Sequence, residues 1–76
     1  MARLEMFEVG VFNREVRTLV EKGAKHPGFR DSWADLQWLE VRAYSEDDAL
    51  HRMALRYPAD RGFVLTAAVA MNPEET

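Results

Sequence analysis

The chain contains no cysteine. That excludes a disulfide framework and any thiolate site, and it is compatible with a reducing compartment. Histidine is scarce, with only His26 and His51. Neither has a second histidine three or four residues away, so the spacing of a zinc site is missing. There is no glycine-rich phosphate loop, no Gly-x-Ser-x-Gly elbow and no Asp-x-Asp-x-Asp-Gly calcium loop. No apolar run approaches the roughly 20 residues that a membrane span needs. The opening MARLEMFEVG lacks the basic run and apolar stretch of a signal peptide. Ten basic and 13 acidic residues leave a net charge of −3, which gives no general attraction to nucleic acid or anionic membrane. With 76 residues there is room for one domain and a small core. These absences lead to the expectation of a soluble, cytoplasmic protein with no cofactor, no metal and no catalytic set.

What is present is a strand-to-helix grammar, clearest between Trp38 and Pro58. In WLEVRAY the residues Leu39, Val41 and Ala43 share one face, and Trp38, Glu40, Arg42 and Tyr44 the other. Ser45 then caps a helix, its hydroxyl placed to accept from the N–H of Asp48, and Asp48 can reach back. Glu46, Asp47 and Asp48 favour the positive end of the helix dipole. Leu50, Met53, Ala54 and Tyr57 form the apolar stripe, and Pro58 ends it. Upstream, Leu4 to Phe12 alternates as a first strand, with Phe7, Val9 and Val11 on one face and Met6, Glu8, Gly10 and Phe12 on the other. Asn13 is an N-cap for a short helix, Arg14 to Lys22, with Val16, Leu19 and Val20 inward and Gly23 ending it. A loop of about a dozen residues follows. Phe63 to Met71 is the third strand, with Phe63, Leu65 and Val69 on one parity and Val64 and Thr66 on the other. The domain spans residues 1–71, and 72–76 (NPEET) reads as a flexible tail.

Glu8–Glu15 (EVGVFNRE) resembles Glu40–Asp47 (EVRAYSED) position by position. This fits either a duplicated βα unit or two segments obeying the same capping rules. Both readings send the two helices to one face of the sheet. The expected fold is α/β in class, an α+β two-layer sandwich built β-α-β-α-β, with a three-stranded mixed sheet of order 2-1-3. Two helices cannot cover both faces of a parallel sheet, and the long loop can return the chain antiparallel to the first strand. An all-parallel order 1-2-3 is the alternative.

Two surfaces carry candidate function. Trp38, Glu40, Arg42 and Tyr44, with Met6, lie on the sheet face away from the helices, and Trp38 can fold over Gly10. That face is too aromatic for plain solvent and too charged for a core, as an association surface is. It reads equally as an exposed sheet with Glu8, Glu40 and Arg42 in cross-strand pairs. In the loop, Lys22, Lys25 and Arg30 are interleaved with Phe29 and Trp33, the residue types that bind phosphates and stack on bases. The same aromatics can instead anchor the loop on the core while the cations stay solvated. The expected function is a non-enzymatic protein-interaction or assembly module, as a homo-oligomer such as a homodimer or with a protein partner. Alternatives are a nucleic-acid-binding domain using the 22–33 loop, or a ligand-binding or enzyme subunit with a pocket between protomers.

Overall fold

A computed structural model describes residues 3–71 of the chain, and the expected tail lies outside them. The elements run β1 (Glu5–Asn13), α1 (Arg14–Glu21), a 3₁₀ turn (Asp31–Ala34), β2 (Gln37–Ala43), α2 (Glu46–Arg56), a second 3₁₀ turn (Ala59–Arg61) and β3 (Phe63–Ala70). The sheet order is β2-β1-β3, as expected. Both pairings are antiparallel, so the sheet is antiparallel throughout rather than mixed. β2 and β3 do run in the same direction, but β1 lies between them and they share no ladder. The fold is therefore α+β.

The core forms where the alternation predicts. Phe7, Val9 and Val11 of β1 meet Val41 and Ala43 of β2, Ala49 and Met53 of α2, and Phe63. In α2 the buried face is set by Ala49 and Met53, while Ala54, expected inward, is exposed. The reason is the i, i+4 pairing of the two buried residues, which turns Ala54 a hundred degrees away.

α1 departs from expectation. Only Val16 of this helix is buried, Val20 is exposed, and none of its residues joins the core cluster. The helix packs chiefly against the Asp31–Ala34 turn. Arg17 fastens this contact, with Nε donating to the Ala34 carbonyl at 2.8 Å and the guanidinium 3.7 Å from the centroid of Phe12. The two helices therefore do not share one cover over the sheet. The cause lies in how each strand ends. β1 stays in register with β3 as far as Asn13, and α1 starts at the next residue. β2 stops at Ala43 and leaves Tyr44 and Ser45 to turn the chain onto the core.

β3 also breaks the simple alternation. Val11 pairs with Leu65 and Val9 with Ala68, so Gly10 faces both Thr66 and Ala67. This is a β-bulge, and the extra residue moves everything after it to the opposite face. Ala68 turns toward the core and Val69, which shares the parity of Leu65 in the sequence, comes out on the other face beside Glu8. The Thr66 hydroxyl donates to the Gly10 carbonyl at 3.2 Å. A Cβ at Gly10 would run into Thr66 Oγ1, so a side chain there would displace that hydroxyl from the Gly10 carbonyl.

Asn13 closes the fold. Its Oδ1 accepts from the N–H groups of Glu15 (2.9 Å) and Val16 (3.0 Å), and its Nδ2 donates to the Arg61 carbonyl at 3.0 Å. The Arg14 N–H donates to the Gly62 carbonyl at 2.9 Å alongside. Asparagine is used as both acceptor and donor, which no other good cap residue of its shape can match. Asn13→Asp keeps the cap but turns an acceptor against the Arg61 carbonyl. It is expected to destabilise the domain by about 1–3 kcal/mol, although Asp and Asn cap equally well elsewhere. A chemical denaturation series comparing Asn13→Asp with Asn13→Ala measures it. An Asp variant as stable as the wild type rules out the Arg61 bond as a contributor.

Candidate functional site

The sheet face opposite α2 is the best-defined surface. Gly10 sits at its centre, directly paired with Trp38, and the Trp38 ring (Cη2) comes to 3.3 Å from where a Cβ would stand. Leu36 Cδ1 closes on the same spot at 3.2 Å. The missing side chain thus makes a seat for an indole and an isobutyl group. Both remain accessible: Trp38 is 47% exposed and Leu36 42%. Val69 joins them from β3 at 50%, placed there by the bulge. Leu36 and Val69 were not among the sequence candidates. Leu36 precedes the alternating run, and Val69 has the wrong parity until the bulge is known.

Met6 pairs with Arg42, and Glu8 pairs with Glu40. The cross-strand charges thus do not complement each other within the protomer. Two carboxylate side chains stand level on adjacent strands, and among the described residues neither has a salt-bridge partner. Arg42 is likewise exposed without an acidic partner there. Like charges directly opposite destabilise a sheet.

Tyr44, the fourth residue expected on this face, lies just beyond the end of β2. Its N–H donates to Asp48 Oδ2 at 2.9 Å, and the Ser45 hydroxyl accepts from the Asp48 N–H at 3.1 Å. The two bonds form a reciprocal cap one residue wider than the usual box. Arg52 Nε reaches the same Asp48 oxygen at 2.9 Å, and its guanidinium carbon is 5.6 Å from the Tyr44 ring centroid.

The 22–33 loop is organised inward. The Phe29 ring is 5.1 Å from Phe63, and Trp33 is 5.3 Å from Phe63 and 5.4 Å from Tyr57. Phe63 and Tyr57 are themselves 5.3 Å apart. These rings, three pairs edge-to-face and Trp33–Tyr57 tilted, anchor the loop on the core. Lys22, Lys25 and Arg30 stay in solvent. His26 holds the turn from within: Nδ1 accepts from the N–H groups of Gly28 (2.9 Å) and Phe29 (3.2 Å). The proton is therefore on Nε2, which lies 3.3 Å from Glu15 Oε1. Both ring nitrogens are committed, so His26 has no free lone pair for a base. His51 is exposed on α2. Among the described residues no three His, Asp or Glu side chains gather closely enough to hold a metal ion. No helix of the described chain is long and apolar enough to cross a membrane.

Two measurements follow from this geometry. The Asp48 carboxyl is held below the ordinary carboxylate value of 3.8, first by the Tyr44 N–H and then by Arg52. A depressed carboxyl contributes stability above its unfolded pKa, and the contribution is lost as pH falls through the lower folded value. Asp48→Asn should melt below the wild type at pH 7, and the gap should close as the pH drops below about 3.8. A gap that persists at pH 2 assigns the effect to something other than charge. Second, Glu8→Lys places a cation level with Glu40. It should raise stability by about 0.2–1 kcal/mol at low salt and less at high salt, read from thermal melts of dilute protein. No family model, curated protein or solved structure matches the chain.

Proposed function

We propose that this chain is a small cytoplasmic assembly module, non-enzymatic, that uses its open sheet face to associate with a second copy of itself. The reading treats the domain as two layers, with α2 and the aromatic loop over one sheet face and the other face left for a partner. One observation carries it: Trp38 and Leu36 stand about half exposed around Gly10, and Val69 is half exposed on the same face, level with Glu8. A monomer gains nothing by leaving an indole in water on a flat sheet, whereas large aromatics are enriched where proteins meet. Glu8, Glu40 and Arg42 border the apolar patch as a polar rim does. A two-fold contact brings one patch against itself, so unpaired charges of both signs can be matched by those of the second copy. A contact of standard size needs roughly 800 Å² from each partner, within reach of a three-stranded sheet face.

Sedimentation of the wild type across a range of concentrations tests the reading. A dimer is expected to form as the concentration rises. Trp38→Glu should cost the contact about 2 kcal/mol or more and shift the protein to monomer while its circular dichroism stays native. A wild type that remains monomeric at high micromolar concentration removes self-association and leaves the face to a foreign protein.

A further inference from the structure

β2 is an edge strand, with β1 on one side and, among the described residues, no strand on the other. It borders an open groove of about 590 Å³, lined by Glu40, Val41 and Arg42, by Met6 of β1 and, from α2, by Arg52, Leu55 and Arg56. Leu55 is 74% exposed there. Edge strands offer unsatisfied N–H and C=O groups and are normally defended against pairing. This one carries charges, but in an order that is its own complement. Around Val41 the strand reads Trp38-Leu39-Glu40-Val41-Arg42-Ala43-Tyr44. Laid antiparallel against a copy of itself with Val41 on the two-fold axis, Glu40 faces Arg42 of the second copy, and Arg42 faces its Glu40. Leu39 then faces Ala43, Val41 faces Val41, and each Trp38 stands level with the second copy's Tyr44.

We propose that two copies join edge to edge through β2 in this register, forming one six-stranded antiparallel sheet of order 3-1-2-2-1-3. The inference rests on the self-association reading, and it puts the contact between the two copies at the strand edge instead of face to face. Charge complementarity selects the occupant. Among the described residues Arg42 has no acidic partner, and Glu40 stands against the like charge of Glu8. The second copy supplies a cation at Glu40 and an anion at Arg42, which answers both at once. A slip of the register by one residue puts Glu40 opposite Val41 or Ala43 and loses both pairs. Arg52, also in the groove, is already matched by Asp48 at 2.9 Å and does not compete. The exposed side chain of Leu55 lies beside the joint, where a second copy can cover it.

Charge exchange provides the test. Glu40→Arg and Arg42→Glu each turn both cross-axis pairs into repulsions, so each variant alone should self-associate about tenfold more weakly or worse. Mixed in equal amounts, the two should form a one-to-one heterodimer, because arginines of one then face glutamates of the other. The double variant Glu40→Arg with Arg42→Glu should recover wild-type self-association. Both sites are exposed, and circular dichroism confirms folding of each variant. Amide hydrogen exchange adds an independent reading. Alternate amides of Gln37–Ala43, those directed away from β1, should slow as the protein is concentrated. A wild type that never dimerises overturns both the reading and this inference. A dimer that forms without slowing those amides, or whose two variants do not prefer each other, overturns the edge register and leaves the sheet-face contact standing.

Discussion

The fold depends on the triple engagement of Asn13. One fully buried side chain ties the end of β1, the first turn of α1 and the turn before β3, joining residues 48 positions apart. The neighbouring glycine is part of the same constraint. Gly62 has φ of +94°, and a Cβ there would come within 2.8 Å of Asn13 Oδ1. The close approach that lets Asn13 reach Arg61 is therefore available only because position 62 has no side chain. A buried amide left half satisfied would cost more than its bonds contribute. Asn13 thus ties the turn before β3 to the end of β1, where the two strands share their ladder.

Local features were legible in the sequence, and those needing distant partners were not. Both caps, Asn13 and Ser45, could be read because donor and acceptor lie two or three residues apart. The strand faces of β1 and β2 followed from alternation alone. The order β2-β1-β3 came from counting faces against helices and from the length of the loop. The bulge was not legible, because it depends on Gly10 and Thr66, 56 residues apart, meeting across the sheet. With it went the side on which Val69 emerges. The similarity of EVGVFNRE to EVRAYSED misled in one respect. The two segments share their caps, but β3 holds Asn13 in the ladder while Asp48 draws the Tyr44 N–H out of it. Identical grammar therefore gave different exits, and α1 settled on the Asp31–Ala34 turn rather than over the core. Arg17, which makes that contact, carries no sequence signal apart from being a long cation three residues before Val20.

The loop shows how context decides between two readings of the same residues. Cations and aromatics in alternation fit a phosphate backbone with exposed bases, and they fit an anchored loop. The outcome follows from Phe63, which begins β3 at the mouth of the core and gives Phe29 and Trp33 a ring to pack on. His26 completes the anchoring by accepting two backbone N–H groups that the turn would otherwise leave to solvent.

A chain of this size cannot cover both faces of a three-stranded sheet and both of its edges. It spends one long helix and an aromatic loop on one face, and leaves the other face and the β2 edge open. What stands on those open surfaces is not the uniform lysine-rich defence that keeps edges apart. Among the described residues it is a glutamate facing a glutamate, an arginine without an anion, and an indole lodged over a glycine. Within one protomer each of these is a small penalty. Three penalties gathered on seven residues of one strand are hard to explain as independent accidents of drift. In the proposed edge pairing a second strand of the same sequence would answer the two charges together, because the order Glu-Val-Arg is complementary to its own reverse. The alternating side chains of β2 thus serve the core from one face and the outer surface from the other. Its backbone supplies a third direction of contact, and the sequence of that strand is consistent with all three.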